Sequence, residues 1–268
     1  MDLQIKGRTA IISGSSRGIG FAIAEELVAN GVSVVLVARG AKPLEEAKSE
    51  LQSRNQAQVE SFAIDITARD AADKIVSFAL KKFGSIGILV NNAGRAHAGG
   101  VMSSTEEDWE GMTALKLSSM RRMCKAVIPI MQANGWGRII NMSSIGGIYP
   151  NPKLLISHVL SAAINNLTKS LALEVAKDGI LVNAIGVGAV ATENWAHNML
   201  PAVRASRPEL AHLSDDELLS QVSLELTPIG RPGKPEEIAS IAAYLCSNRN
   251  GFVTGDTIEA SGGADRFM

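Results

Sequence analysis

The chain has 268 residues, of which 46% are hydrophobic and 20% charged, and its formal net charge is −1. This balance excludes the strongly basic surface that binds nucleic acid or an anionic membrane, so neither is expected as a partner. No apolar run reaches the roughly 18 residues of a membrane-spanning helix. The length suits a single α/β domain, which we place over residues 1–268.

The first predicted strand, Thr9–Ile12, runs directly into a glycine-rich segment, Ser13-Gly14-Ser15-Ser16-Arg17-Gly18-Ile19-Gly20. Glycines at this spacing let the backbone turn sharply and approach a pyrophosphate, while the helix that follows points its free N–H groups at the phosphates. The triplet alone also fits an ordinary strand-to-helix turn. The helical segment after it and the β-rich run Ser33–Val37 complete a strand-loop-helix-strand unit, which favours dinucleotide binding.

Strand and helix patterns alternate along the rest of the chain without a long linker. Near-continuous apolar strands separated by helices predict the α/β fold class, with a Rossmann-type doubly wound parallel sheet and helices on both faces. The further predicted strands are Val59–Ile64, Ile86–Val90, Arg138–Met142, Ile180–Ile185 and Thr257–Ala260, and the long helices lie near Glu106–Ala133 and Leu154–Lys177.

The segment Thr192–Thr227 interrupts this alternation, and its composition predicts one or two helices inserted after a strand end. In an open α/β sheet the carboxyl ends of the strands face the ligand, so we interpret this insert as a helical substrate lid. A surface excursion without a function is the alternative.

Cys124 and Cys246 lie in apolar, helix-like segments. They indicate buried, reduced thiols in a cytoplasmic protein rather than a disulfide or a metal site. The four histidines show no ligand spacing, so no metal is expected.

Several short motifs match one family. They are Asp65 after the third strand, Asn91-Asn92-Ala93-Gly94, Asn141-Met142-Ser143-Ser144, Gly179–Asn183, the turn from Gly188 to Thr192, Gly230-Arg231-Pro232, Pro235–Ala239, and Thr254-Gly255 with Gly262-Gly263. Together with Ser13–Gly20 they span nearly the whole chain, which resembles a short-chain dehydrogenase/reductase of the 3-oxoacyl-carrier-protein reductase-like branch. The resemblance implies a seven-stranded parallel sheet and a homotetramer or homodimer built on the two long helices.

The charge at the end of the second strand argues for one cofactor. NAD-preferring sites place Asp or Glu there to bind the ribose hydroxyls, whereas this chain has Ala38 followed by Arg39. Arg17 lies beside the first helical turn, where a cation is favourable only near an anion. Two guanidinium groups suit a 2′-phosphate, so we predict NADP(H) over NAD(H). The alternative is that one or both arginines are only solvated.

The resemblance also implies roles for individual residues of the cofactor site. The loop residues Gly14, Ser16, Arg17, Gly18, Ile19 and Gly20 would surround the phosphates. The other expected contacts are Asp65 and Ile66 with adenine, Asn91, Ala93 and Gly94 with the ribose, and Val190 and Thr192 with the nicotinamide amide. Ordinary turn chemistry is the alternative for each of them.

The reaction centre departs from the family pattern. The family uses a tyrosine as proton donor, a lysine one helical turn later, a serine that polarises the carbonyl, and an asparagine that holds a relay water. Ser144 matches the serine, but the tyrosine, lysine and asparagine places hold Ser157, Ser161 and Lys116. The usual acid is therefore missing, and the candidate catalytic residues are Ser144, Lys116 and Ser157.

A second tyrosine–lysine pair satisfies the same pattern literally, in Tyr149-Pro150-Asn151-Pro152-Lys153. The two side chains of the motif must share a helix face, and the two prolines disfavour a helix there. We therefore reject Tyr149 and Lys153 as a displaced catalytic pair, although either is a candidate for the substrate pocket.

Lys116 has two interpretations of equal weight. Its ammonium either stabilises or protonates a developing alkoxide, or it reaches solvent at the end of a long side chain. Ser157 suits a proton relay. His158 titrates in the right range, but a helical neighbour points about 100° away from Ser157. A core or interface histidine is therefore the favoured interpretation.

Three classes of function remain. The first is an NADP(H)-dependent oxidoreductase that acts on a small, mostly apolar carbonyl or alcohol through a rebuilt proton path. The second is an NADP-binding protein without hydride chemistry, such as a sensor or an inactive subunit. A non-redox enzyme on the same scaffold ranks last, because such enzymes lose the dinucleotide loop. The substrate pocket is expected to draw on Ser144, Tyr149, Pro150 and Trp195, with no charged clamp evident.

Overall fold

The computed structural model describes residues 2–54 and 58–265, and within them seven strands form one parallel sheet in the order β3-β2-β1-β4-β5-β6-β7. The predicted doubly wound fold is therefore confirmed. The strands are β1 (Thr9–Ser13), β2 (Ser33–Ala38), β3 (Val59–Ala63), β4 (Ile88–Asn91), β5 (Gly137–Ser144), β6 (Ile180–Val187) and β7 (Thr257–Ala260).

Helices cover both faces of this sheet because successive strand residues point to opposite sides. In β1, Ala10 and Ile12 pack in a core cluster with α1, α2 and α9, whereas Ile11 packs on the other face with α3, α5 and α6. The α-helices are α1 (Gly18–Ala29), α2 (Ala41–Arg54), α3 (Ala71–Phe83), α4 (Glu106–Thr113), α5 (Ser119–Asn134), α6 (Leu155–Val175), α7 (Glu193–Ser206), α8 (Asp215–Leu226) and α9 (Pro235–Cys246).

The sheet changes winding direction between β1 and β4. β1 pairs with β2 on one side and with β4 on the other, so the loops after β1 and β4 diverge and leave a crevice at their carboxyl ends. A crevice of this kind is the ligand position in open α/β sheets. The loop after β1 is the glycine-rich segment, and the loop after β4 begins with Asn92.

The long helix predicted near Glu106–Ala133 is interrupted by a π-helical turn at Ala114–Ser118, which separates α4 from α5. The N–H of Ser119 donates to the carbonyl of Ala114, five residues earlier. Such wide turns occur mostly singly and frequently at functional sites. Lys116 lies in the middle of this one, and we call Ala114–Ser118 the π turn.

The segment predicted as a helical insert contains α7 and α8, which share a small hydrophobic cluster with the start of α6. The buried residues of this cluster include Leu154, Trp195, Met199, Leu218 and Val222. Among the described residues no helix is both long and apolar enough to span a membrane.

Both cysteines are free and buried, and burial raises the pKa of Cys124 and of Cys246 to about 12. Neither thiol is therefore a nucleophile near neutral pH.

Candidate active site

The glycine-rich loop after β1 is packed so tightly that side chains are excluded at two positions. A Cβ on Gly20 would lie 2.4 Å from the carbonyl oxygen of Gly14, and Gly14 itself has a φ of +65°, which favours glycine. The Nδ2 of Asn92 donates to the carbonyls of Ser13 and Gly14, at 3.0 and 2.9 Å. The loop after β4 thus fixes the loop after β1.

The N-terminus of α1 fits a phosphate group. No side chain among the described residues caps this helix, so its first N–H groups keep their capacity to bind an anion. Ser16 and Arg17 precede Gly18, the first residue of α1, and both lie at the same edge of the sheet as the ends of β2 and β3. The residues present therefore fit the pyrophosphate of a dinucleotide.

The two arginines predicted for a 2′-phosphate lie in different surroundings. Arg39 is exposed after the end of β2. Arg17 pairs with Glu193, the first residue of α7, with 2.7 Å between Nη1 and Oε2, and both side chains are largely exposed. A bound 2′-phosphate would therefore compete with a carboxylate for Arg17.

Asp65 and Ile66 follow β3 at the same edge of the sheet. The carboxylate of Asp65 accepts hydrogen bonds from the N–H and hydroxyl of Thr67, at 2.9 and 2.8 Å. These bonds, together with the charge of Arg39, lower the pKa of Asp65. Ile66 is buried. The carboxylate is therefore ionised and fixed in direction near the predicted adenine position.

A cavity of about 180 Å³ opens beside this edge, at the ends of β4, β5 and β6. It brings together predicted residues from the cofactor site, the reaction centre and the helical insert. Its lining consists of Ile19, Asn92, Ala93, Gly94, Arg95, Ala96, Lys116, Met120, Met142, Ser143, Ser144, Leu154, Ser157, His158, Ile164, Val187, Gly188, Val190, Thr192 and Trp195.

Asn91 and Asn92 differ from the expectation. The side chain of Asn91 is buried in the core, where its Nδ2 donates to Asn141 Oδ1 at 2.9 Å, and it does not line the cavity. Asn92 does line it, together with the predicted Ala93 and Gly94. Strand alternation explains the difference, because neighbouring side chains at a strand end point to opposite sides.

Ser157 and Ser161 lie one turn apart on α6, and both are buried. The Nζ of Lys116 lies 3.3 Å from Ser161 Oγ, which itself donates to the carbonyl of Ser157 at 2.8 Å. An ammonium from the π turn therefore reaches the position where the family pattern would place a lysine on α6. Lys116 is only partly exposed, and desolvation lowers the pKa of its ammonium to about 8.

The side chain of Lys116 also runs close to the turn after β4. A Cβ built on Gly94 would lie 3.9 Å from Lys116 Cγ. The side chain thus runs from the π turn past Gly94, one of the predicted ribose contacts, to α6. This path places a positive charge inside the cavity.

The two remaining candidate catalytic serines have different partners. Ser144 Oγ accepts the N–H of Gly146 at 3.1 Å, which leaves its own proton available to a ligand in the cavity. Ser157 Oγ accepts the N–H of His97 at 2.7 Å, and its weaker contact to the His97 carbonyl is 3.4 Å. Ser157 therefore also holds the loop after β4 against α6.

His158 lines the cavity next to Ser157, but its ring is packed into the fold. Its Nδ1 accepts the N–H of Asn151 at 2.8 Å, and a Cβ on Gly146 would lie 2.1 Å from its ring. Burial, with a contribution from Lys116, lowers the pKa of His158 to about 4. The imidazole is therefore neutral at pH 7 and acts as a packed structural group.

Tyr149 and Lys153 lie outside the helices, before the start of α6, and Lys153 is exposed. The charge of Glu259, with a hydrogen bond to it, raises the pKa of Tyr149. Neither residue is among those that line the cavity within the described chain, and Pro150 is not either, whereas Ser144 and Trp195 are.

Arg95 is a lining residue that sequence reasoning missed. It directly follows the Asn-Asn-Ala-Gly turn, and that adjacency was the available signal. The described lining of the cavity therefore contains two cationic side chains, Arg95 and Lys116, although no charged clamp was evident from the sequence.

Comparisons with known proteins agree with this geometry. A family model described as enoyl-(acyl carrier protein) reductase matches residues 14–265. The chain belongs to the short-chain dehydrogenase/reductase family. The 3-oxoacyl-[acyl-carrier-protein] reductase of Haemophilus influenzae is 32% identical over 259 residues, covering 97% of this chain and 98% of that protein. Dehydrogenase/reductase SDR family member 4 of Caenorhabditis elegans is 31% identical, covering 97% of this chain and 92% of that protein.

Solved structures of the family superpose over almost the whole chain. The L-sorbose reductase of Gluconobacter frateurii, complexed with NADPH and L-sorbose, matches with a TM-score of 0.91 and 34% identity, and each chain is covered completely. An actinorhodin polyketide ketoreductase with NADPH matches with a TM-score of 0.87 and 29% identity, over 96% of both chains. The predicted place in the 3-oxoacyl-carrier-protein reductase-like branch is confirmed.

Proposed function

We propose that this protein is an NADP(H)-dependent oxidoreductase of small, mostly apolar carbonyl or alcohol substrates, with a relocated lysine in its proton-transfer site. The observation that carries the proposal is the 3.3 Å contact between Lys116 Nζ and Ser161 Oγ. The charge that the family pattern places on α6 is supplied here from the π turn. NADP(H) is the cofactor supported by the open N-terminus of α1, by Arg17 and Arg39, and by relatives whose structures contain NADPH.

When bound, the reduced cofactor would supply a hydride to the carbonyl carbon. Ser144 donates a hydrogen bond that orients and polarises the carbonyl oxygen. The ammonium of Lys116 stabilises the negative charge that develops on that oxygen and then donates a proton to it. With its pKa lowered to about 8, Lys116 is still mostly protonated at pH 7 and is a much stronger acid than an ordinary lysine.

The hydroxyl groups of α6 have supporting roles in this proposal. Ser161 accepts a hydrogen bond from Lys116 and so fixes the ammonium. Ser157 is the remaining candidate for the proton relay, because its hydroxyl lines the cavity one turn away. Like the helical lid assigned to residues 192–227 and an assembly as homotetramer or homodimer, this relay is a proposal.

A second candidate is an NADP-binding protein without hydride transfer, such as a sensor or an inactive subunit. The observation that favours it is the contact of Ser157 Oγ with the His97 main chain, since this contact occupies the hydroxyl at the tyrosine position. In that case Lys116 would bind an anionic or polar ligand without donating a proton.

One experiment separates the two candidates. The purified protein is titrated calorimetrically with NADPH and NADH, and NADPH oxidation is then followed against a panel of small ketones and thioesters. Tighter binding of NADPH together with turnover of a ketone supports the oxidoreductase. Tight binding of NADPH without turnover across the panel supports the second candidate. No affinity for either nucleotide at millimolar concentration overturns both.

A further inference from the structure

The charges in the cavity lining all have one sign. Arg95 and Lys116 are its cationic residues, and none of the described residues that line it is an aspartate or a glutamate. A cleft lined by one sign of charge between apolar walls concentrates ligands of the opposite sign. The rest of the lining is mostly apolar, so Arg95 and Lys116 are the charged side chains of the described lining that a substrate meets.

Two carboxylates near the cavity already have partners. Glu193, next to the lining residue Thr192, pairs with Arg17 at 2.7 Å. Asp108 is 3.3 Å from His97 Nε2 and also caps the start of α4. Neither carboxylate balances the charge within the cavity.

Arg95 lies at the mouth of the cavity and is exposed. Its guanidinium has no hydrogen bond or ion pair with any residue that the structure describes. A guanidinium presents two parallel N–H donors that match a carboxylate, and such bonds are among the stronger ones in proteins. Arg95 is therefore available to bind an anion, because no residue in the described part of the chain pairs with it.

Lys116 lies deeper, and its described hydrogen-bond partner, Ser161, is neutral. The two cations thus divide the cavity into an outer position at Arg95 and an inner position beside Ser144 and Ser161. A substrate with an anionic end and a carbonyl end would satisfy both positions in one orientation.

We propose that the substrate is a small oxo acid, whose carboxylate is bound by Arg95 at the mouth while its carbonyl lies at Ser144 and Lys116. The inference rests on the proposed function and narrows its substrate class from carbonyl compounds in general to carboxylate-bearing ones. Arg95 is a specificity-determining residue in this proposal, and the hydride and proton steps are those already described.

The test compares matched substrates that differ in charge. Pyruvate, acetoacetate and levulinate are each assayed beside the corresponding methyl ester, with NADPH, in the wild-type protein and in Arg95→Gln. Arg249→Gln is the control, because Arg249 is exposed, lies after α9 and is outside the cavity lining. A charged hydrogen bond of ordinary strength corresponds to a preference of about 10- to 100-fold in kcat/KM for the acid over its ester.

We expect this preference in the wild-type protein and in Arg249→Gln, and its loss to within about twofold in Arg95→Gln. A wild-type protein that treats acid and ester alike overturns the inference, and so does a preference that survives in Arg95→Gln. Unchanged thermal unfolding of Arg95→Gln confirms that the fold is intact.

A binding measurement separates this inference from the proposed function. Butanoate and butanamide are titrated calorimetrically into the protein saturated with NADP⁺. Tighter binding of butanoate that depends on Arg95 supports the inference even when no substrate turns over, an outcome that overturns only the proposed oxidoreductase. Equal binding of both compounds without any turnover overturns both.

Discussion

The cofactor edge and the reaction centre lie side by side, but different forces hold them. At the cofactor edge, close backbone packing decides the residue types: Gly14 and Gly20 have no space for a side chain, and Asn92 binds two carbonyls of the loop. At the reaction centre, a charge is held by one long side chain and a hydroxyl, Lys116 and Ser161.

This difference explains which half kept the family pattern. Packing contacts below 3 Å tolerate no substitution without movement of the backbone, whereas a charge can be supplied to one position from more than one element. The cofactor half therefore retains its glycines, while the place of the family lysine on α6 holds Ser161, which Lys116 of the π turn contacts. Substitutions at Lys116 and Ser161 test whether the charge of Lys116 performs the chemistry, and one at Glu193 tests the cofactor edge.

The largest effect is expected for Lys116→Met, which removes the ammonium and keeps a long side chain. We expect kcat/KM for ketone reduction to fall by about 100-fold or more, in the range that loss of a general acid produces. In the wild-type protein the rate should be level below about pH 8 and fall above it, because Lys116 then loses the proton that it must donate. Steady-state rates measured between pH 6 and pH 10 test this.

The matched control is Lys125→Met, which changes an exposed lysine on α5. This variant should keep both the rate and its fall above about pH 8.

A second readout, the stability of the fold, does not depend on activity. The pKa of Lys116 is lower in the folded protein than in the unfolded chain, so the unfolded chain binds more protons between about pH 8 and the ordinary lysine range. The free energy of unfolding in urea of the wild-type protein, relative to that of Lys116→Met, should therefore rise with pH in that window, since the buried thiols Cys124 and Cys246 contribute equally to both proteins. A difference between the two proteins that does not change with pH would contradict the assignment.

An intermediate effect is expected when the family lysine is restored. Ser161→Lys would bring a second ammonium to the buried position that Lys116 already occupies, with a loss of stability of about 2–4 kcal/mol. Adding Lys116→Asn to Ser161→Lys should restore about 1 kcal/mol or more of the free energy of unfolding, because it removes the like charge. Urea unfolding measures both changes.

Ser170→Lys is the control for this pair, since Ser170 is exposed on the same helix. Its stability should stay within about 0.5 kcal/mol of the wild-type protein. Purely additive effects of Ser161→Lys and Lys116→Asn would show that the two ammonium groups do not share a position.

The smallest effect concerns the cofactor edge. Glu193→Gln removes the carboxylate that pairs with Arg17 and should tighten NADPH binding by about two- to fivefold, since an exposed ion pair contributes at most about 1 kcal/mol. Binding of NADH, which lacks the 2′-phosphate, should not change. Calorimetric titration of both nucleotides measures this, with Glu209→Gln, an exposed residue outside this pair, as the control. Equal tightening for NADH would show that Arg17 does not contact the 2′-phosphate.

The sequence predicted the sheet because each strand carries its own signal, a short apolar run bounded by turn residues. All seven predicted strands overlap the observed ones, and the glycine spacing identified the loop between β1 and α1. It also indicated that Tyr149 and Lys153 do not share a helix, since the prolines between them act locally.

The missed features depend on three-dimensional contacts. The pairing of Arg17 with Glu193 joins residues that are 176 positions apart. The π turn has no composition of its own, so the helix around Lys116 was predicted as continuous, and the contact of its ammonium with Ser161 could not be foreseen. Arg95 was missed because an arginine after a turn is usually solvated, and only the cavity shows that it borders a ligand space.

The π turn has one more consequence, because it lies at the seam between two separately packed parts of the interior. Before it, Met112 packs against Ile156 and Leu160 of α6, and after it Met120 and Met123 join the large cluster beneath the sheet. Both ends of the widened turn are thus anchored in close-packed apolar surroundings. The backbone of Lys116 is therefore held between two close-packed apolar clusters, and a shift of that backbone would require one of the clusters to repack.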